Sequence, residues 1–236
     1  MSEYNMDTKN IPNHVGLIMD GNRRWAKANH KTGLEGHYRG YEKLTNCADW
    51  FFSRGVKFLS VFAFSTENWD RAKEEVDYLM NLLKRAITEQ TGVALKKGYR
   101  LMISGRTHEL PGNLPDACRV AMEKTKTGLN GTLNICLNYG GQPEITDAVK
   151  RIITDGVPAT QITEAKIGEY LYNPAIPDLD MVVRTSGEQR SSGFMLWRAH
   201  YAEFLFLQKH WPDFDESDVE FILAEYAKRQ RRFGGD

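Results

Sequence analysis

Cysteine is scarce in this chain: three in 236 residues, Cys47, Cys118 and Cys136, far apart and without metal-ligand spacing. An odd, widely spaced set excludes a disulfide framework and points to reduced thiols in the cytoplasm. An excess of either charge is missing too, with 31 Lys+Arg against 31 Asp+Glu. No global field therefore draws the chain to nucleic acid, and none is expected as a partner; any phosphate binding must come from local clusters. No apolar run approaches the roughly 20 residues of a membrane span, so membrane contact is expected to be transient and peripheral. There is no G-x-x-x-x-G-K-[ST] loop, no G-x-G-x-x-G after a strand and no serine elbow, which removes the commonest nucleotide and hydrolase templates. Repeats and low-complexity segments are absent as well.

What is present is an ordinary globular composition, 41% hydrophobic and 26% charged, long enough for one substantial core. Residues 1–12 are polar and read as a loose arm ahead of one domain at 13–236. Apolar, β-branched or aromatic runs predict strands at 14–19, 56–64, 100–104, 133–137, 180–184 and 204–207. Amphipathic stretches predict helices at 36–54, 74–97, 114–127, from about 143, at 164–171 and at 216–229. The stretch 26–33, polar and basic, is expected to be a loop. This alternation implies a single α/β domain: a mainly parallel sheet of about six strands, covered by helices on both faces.

Parallel strands all end on the same side, so the segments after them share one crevice. Four are rich in polar residues: Asp20-Gly-Asn-Arg-Arg-Trp, Ser65-Thr-Glu-Asn-Trp-Asp-Arg, Asn138-Tyr-Gly-Gly and Arg184-Thr-Ser-Gly-Glu-Gln-Arg-Ser-Ser. A carboxylate suits Mg²⁺, and arginines grip phosphate oxygens bidentately. Asp20 with Arg23, Arg24, Arg71, Arg184 and Arg190 therefore reads as a site for a metal-bound phosphorylated ligand. The plainer alternative is that Asp20 caps the next helix and that Arg184 or Arg190 pairs with Glu188 or Asp180. Glu203, just before the last apolar run, is either a boundary charge or a second metal carboxylate facing Asp20.

The segments HVGLIMDGNRRWAK, EGHYRG, FSTENWDR, NYGGQPEI, DMVVRTSGEQRSSGFMLW, YAEF and WPDF, in that order, resemble the cis-prenyltransferases, and among them the undecaprenyl diphosphate synthases. The resemblance runs from Pro12 to Gly235. It implies Mg²⁺-dependent condensation of isopentenyl diphosphate onto an allylic diphosphate such as farnesyl diphosphate, giving a polyprenyl diphosphate that serves as a carrier lipid for wall glycans. A short-chain synthase is the near alternative, and a non-catalytic partner subunit or a phosphohydrolase fits the retained residues less well.

Carried over by motif, the resemblance implies that Asp20 holds Mg²⁺ and helps the allylic diphosphate depart. Gly21, Asn22, Arg23 and Arg24 would cradle that diphosphate, with Trp25 and His37 flanking it. Ser65, Thr66 and Glu67 would lie in a mobile loop, with Asn68 as the proposed proton acceptor beside Trp69 and Arg71. Arg184, Arg190, Ser191 and Ser192 would bind isopentenyl diphosphate, and Glu203 would be a second Mg²⁺ ligand. A homodimer is implied, with Arg231 and Arg232 reaching across its interface. An amide is a poor base, so Asn68 is expected to position rather than to accept the proton. The growing chain needs an apolar tunnel, for which the stripe from Val76 to Ile87 is a candidate wall. The chain departs from the pattern at Gly33, where the family has an arginine, and at Gln142 and Gly193, in place of a frequent arginine and asparagine.

Overall fold

In the computed structural model, residues 10–229 are described. Most of the expected arm, and Arg231 and Arg232, lie outside the described residues. Six strands form one sheet in the order β3-β4-β2-β1-β5-β6, every pair parallel. They are β1 (His14–Ile18), β2 (Phe58–Ser65), β3 (Arg100–Ser104), β4 (Thr132–Tyr139), β5 (Met181–Arg184) and β6 (Glu203–Phe206). The chain winds outward through β2 and later returns to lay β5 on the other side of β1. The β1/β5 boundary is thus the point where winding reverses and where a ligand crevice opens in such sheets.

β1 is buried along its whole length. Gly16 within it admits no larger residue, since a Cβ there would stand 2.8 Å from the Phe194 ring. The larger core packs one sheet face against α2 (Gly33–Phe52), α3 (Lys73–Lys97), α4 (Leu114–Thr125) and α7 (Glu216–Ala227). A smaller cluster with Ile176, Leu179, Phe194 and Met195 covers the other face. The helices start where local chemistry dictates. Thr32 and Glu35 form a reciprocal cap on α2, and α3 carries Glu74 and Glu75 in its first turn and Lys96 and Lys97 in its last, matching its dipole.

Residues 26–33, expected to be a loop, are helical at 26–28 and at 33, and only 29–32 form the connection. α1 (Asn22–Ala28) begins directly after the first strand's turn, and α2 already starts at Gly33. Basic side chains conceal the periodicity, because only Ala26 of α1 is buried. Two further helices, α5 (Gly141–Thr154) and α6 (Glu164–Glu169), complete the layers.

Candidate diphosphate site

The carboxyl ends of β1, β2, β4 and β5 surround a pocket of about 610 Å³. Asp20 lies on its β1 side. It does not cap the following helix: Gly21 occupies that position, with φ +107°, and a Cβ there would meet Ser186 Oγ at 2.6 Å. Asp20 instead accepts Arg184 Nη2 at 2.8 Å and pairs with Arg24 Nη2 at 3.1 Å. Its backbone carbonyl accepts Thr185 Oγ1 at 2.6 Å and Trp211 N–H at 3.0 Å. Burial raises the Asp20 carboxyl, but the hydrogen bonds from Arg184 and Arg24 outweigh it and bring the group below its ordinary range. Asp20 is an ionised, held carboxylate.

Arg184 closes β5 with its side chain only 6% exposed. It also donates to Ser192 Oγ and to the Arg190 carbonyl, both at 2.7 Å. Arg190 itself takes the plainer alternative: its side chain is 59% exposed and pairs with Glu188 at 2.5 Å. Glu188 also accepts Arg24 Nη1 at 3.0 Å, which joins the two sides of Asp20. Ser192 lines the pocket, whereas Ser191 does not.

On the opposite wall, the 3-10 segment Thr66–Asp70 follows β2. Ser65, Glu67, Asn68 and Arg71 line the pocket there, while Thr66 turns toward Glu67 and Gly140. The Asn68 amide oxygen, the one atom of that side chain able to accept a proton, takes the Ser65 N–H at 3.1 Å. That bond supports a positioning role. Trp69 and Trp25 are tied away from the cavity, to Asn138 Oδ1 and Asp213 Oδ1 respectively, each at 2.7 Å. Asn22 and His37 line the pocket, and Arg23 lays its stem against Gly33, where an added Cβ would stand 3.7 Å from Arg23 Cγ. The arginine lacking at position 33 therefore has a basic neighbour over the gap.

Glu203 departs from the expectation. The ladder sets Met181 opposite Glu203 and Arg184 opposite Phe206, so Glu203 begins β6 at the sheet's amino end. That is three residues back from Arg184, roughly 10 Å along the strand. It pairs there with Arg229 at 2.6 Å and does not face Asp20. No group of three or more His, Cys, Asp or Glu side chains able to hold a metal occurs among the described residues. Mg²⁺ is commonly held by one or two carboxylates plus substrate phosphates. A single ionised Asp20 beside arginines, which suit phosphate oxygens, fits that donor pattern.

Gly141, at the end of the expected Asn138–Gly141 segment, lines the pocket and donates its N–H to the Gly193 carbonyl at 2.9 Å. Sequence reasoning misses that Gln142 and Pro143, in the first turn of α5, line it too. The available signal is two glycines after a strand and a proline at a helix start. Behind the pocket lies a contiguous apolar slot of about 80 Å³ between α2 and α3, reached past Phe62, Ala63 and Leu79 and closed by Tyr41, Leu44 and Leu83. Of the stripe expected to form a tunnel wall, Leu79 and Leu83 do so; Val76, Met80 and Ile87 belong to the core.

A parallel sheet with arginines and one carboxylate at its winding reversal, beside an apolar slot, has the chemistry to take a diphosphate that carries a hydrocarbon tail. A family model for undecaprenyl diphosphate synthase matches residues 18–234, and the chain belongs to that prenyltransferase family. It is 44% identical over 227 residues to the isoprenyl transferase of Thermotoga maritima, spanning 95% of this chain and 97% of that protein. It is 38% identical to the (2E,6E)-farnesyl-diphosphate-specific ditrans,polycis-undecaprenyl-diphosphate synthase of Micrococcus luteus, spanning 98% and 94%. The crystal structure of lavandulyl diphosphate synthase from Lavandula x intermedia, in complex with dimethylallyl diphosphate, superposes with a TM-score of 0.91 at 31% identity, covering 95% of this chain and 98% of that one. The chain is thus a cis-prenyltransferase by family, with the expected fold.

Proposed function

We propose that this protein uses Mg²⁺ to add isopentenyl diphosphate to an allylic diphosphate, with farnesyl diphosphate as starter and a polyprenyl diphosphate as product. The observation that carries the reading is the Asp20–Arg184 pair, joining the ends of β1 and β5 inside a pocket that continues into an apolar slot. Asp20 would hold Mg²⁺, which when bound neutralises charge on the departing diphosphate. In the reaction the allylic C1–O bond breaks and its electron pair leaves with the diphosphate. The isopentenyl double bond then joins its C4 to that carbon, and a proton departs from its C2. Arg24 grips one diphosphate beside Asp20, and Arg184 with Ser192 grips the other, so the developing charge meets donors already in place. Asn68 orients its loop.

Labelled isopentenyl diphosphate, farnesyl diphosphate and Mg²⁺ incubated with purified protein should give extended products; absence of any extension overturns the reading. One observation keeps a short-chain reading in view: the slot is small beside the pocket, so a long product requires α2 and α3 to part. Sizing the product by mass spectrometry separates a carrier-lipid synthase from a short-chain one. A homodimer is part of the same proposal, and sedimentation tests it. No described helix is long and apolar enough to cross a membrane, so product release would involve transient contact.

A further inference from the structure

The cations of the helical wall converge on an acid that none of the assigned site positions includes. Glu75 sits in the first turn of α3 with its side chain 17% exposed. Its Oε1 accepts from His37 Nε2 at 3.1 Å and from Arg71 Nη1 at 3.0 Å, and its Oε2 lies 3.9 Å from Arg23 Nη1. The three partners come from three places: α1, α2 and the linker ahead of α3. Burial pushes the Glu75 carboxyl up, but the His37 hydrogen bond and the charges of Arg71 and Arg23 more than offset this and leave it below the ordinary range.

Two consequences follow from chemistry. A carboxylate only accepts, so a neutral His37 must carry its proton on Nε2, and its Nδ1 keeps a lone pair. Burial, the dominant influence, holds His37 below the ordinary histidine range despite Glu75, which favours that neutral form. His37 is also the one titratable side chain among the described residues that lines both the polar pocket and the apolar slot. Arg71, meanwhile, donates its backbone N–H to the Asn68 carbonyl at 3.3 Å, so tethering Arg71 tethers the segment that carries Asn68.

We propose that Glu75 is a positioning residue, seating His37 and Arg71 where the diphosphate pocket meets the apolar slot and holding residues 65–71 against α2. With His37 neutral, Arg23 and Arg71 exceed Glu75 by one positive charge, so the acid orders the wall without making it repel an anionic substrate. The proposal rests on the diphosphate reading above.

Glu75→Gln keeps the shape and removes the charge; Glu74→Gln, at its exposed neighbour, is the control. The charged groups facing His37 are Glu75 and Arg71 with Arg23 from α1. NMR titration of the His37 ring in the full chain, without substrate, should give a lower pKa in Glu75→Gln than in wild type, because the lost carboxylate was the group favouring protonation. With Mg²⁺, isopentenyl diphosphate and farnesyl diphosphate, kcat/KM for the farnesyl substrate should fall about 100-fold, the scale of a misplaced reacting group. Glu75→Asp should recover part of that loss, and the melting temperature should stay near wild type. An unchanged His37 titration, an equal loss in Glu74→Gln, or a loss explained by a fallen melting temperature overturns the proposal. A wild-type protein without condensation activity would overturn the functional reading instead, while the His37 titration would still decide the role of Glu75.

Discussion

The two ends of the sheet carry the same kinds of residue and use them for opposite purposes. At the carboxyl end, Asp20, Arg184, Arg71 and His37 surround a cavity that solvent reaches. At the amino end, His14, Asp180, Glu203 and Arg229 tie strands to one another. Asp180 Oδ2 accepts the backbone N–H groups of Asn13 and His14 at 2.7 and 3.0 Å, and the Asp180 carbonyl accepts Glu203 N–H at 2.9 Å. His14 starts a relay that crosses the sheet interior: Nδ1 to the Pro177 carbonyl, Nε2 to Ser60 Oγ, then Asn134, Ser104 and Asn173. A polar chain that is satisfied throughout, and buried from His14 to Ser104, fixes register rather than binding ligand. Surplus donors beside open space mark the functional end; saturation marks the structural one.

The sharpest way to break this contrast is Asp20→Ala. If the carboxyl end is the reaction centre, turnover should fall about 1,000-fold or more, since Mg²⁺ and its charge stabilisation go together. Circular dichroism should show the fold retained, because Asp20 pairs with groups at the pocket surface and not in the relay. A variant that keeps a tenth of wild-type turnover would move the chemistry elsewhere.

His14 tests the other end, and here the quantity is stability. Burial lowers its pKa from 6.5 to about 4. The folded form thus resists a proton that the unfolded chain takes up readily. Its stabilising contribution is complete above pH 6.5 and is lost as pH falls toward 4, a total of about 3 kcal/mol. His37, also lowered by burial, acts in the same direction. Urea midpoints measured from pH 7.5 to 4 should fall steeply in wild type. In His14→Gln they should start lower and fall less, with kcat at pH 8 unchanged. An equal slope in both proteins would remove His14 from the account.

The same contrast separates what the chain's sequence makes legible from what it hides. Six strands, their parallel pairing and the gathering of four polar segments at one edge follow from hydrophobic runs alternating with amphipathic ones, and the structure has them all. Of the two readings left open for Glu203, the boundary charge is the one the structure bears out. Glu203 precedes its apolar run and so begins β6 at the amino end, whereas Asp20 follows its run and reaches the carboxyl end. Glu75 escapes notice. One of two acids at a helix start is ordinarily a dipole charge, and only tertiary packing brings His37, Arg71 and Arg23 to one of them and not to Glu74. Trp25 and Trp69 sit in the right segments but point their indoles at Asp213 and Asn138, a choice of rotamer that spacing does not encode.

The same conservative substitution at both ends gives the finest test. Arg184→Lys keeps a charge near Asp20 but loses the planar fork that serves Asp20, Ser192 and the Arg190 carbonyl together. A lysine has three donors on one flexible nitrogen and cannot span those acceptors at once, so the 190–192 loop loses its anchor. The expected cost is about tenfold in kcat/KM for isopentenyl diphosphate, on the scale of one charged hydrogen bond. Arg229→Lys makes the identical change where the partners are Glu203 and the Phe204 carbonyl, and both side chains of that ion pair are about a third exposed. An exposed pair contributes within about 1 kcal/mol to stability, and kinetics with either substrate should stay at wild-type values. Equal kinetic losses in the two variants would mean that the amino end reaches the reaction after all, and the division between the two ends would fall.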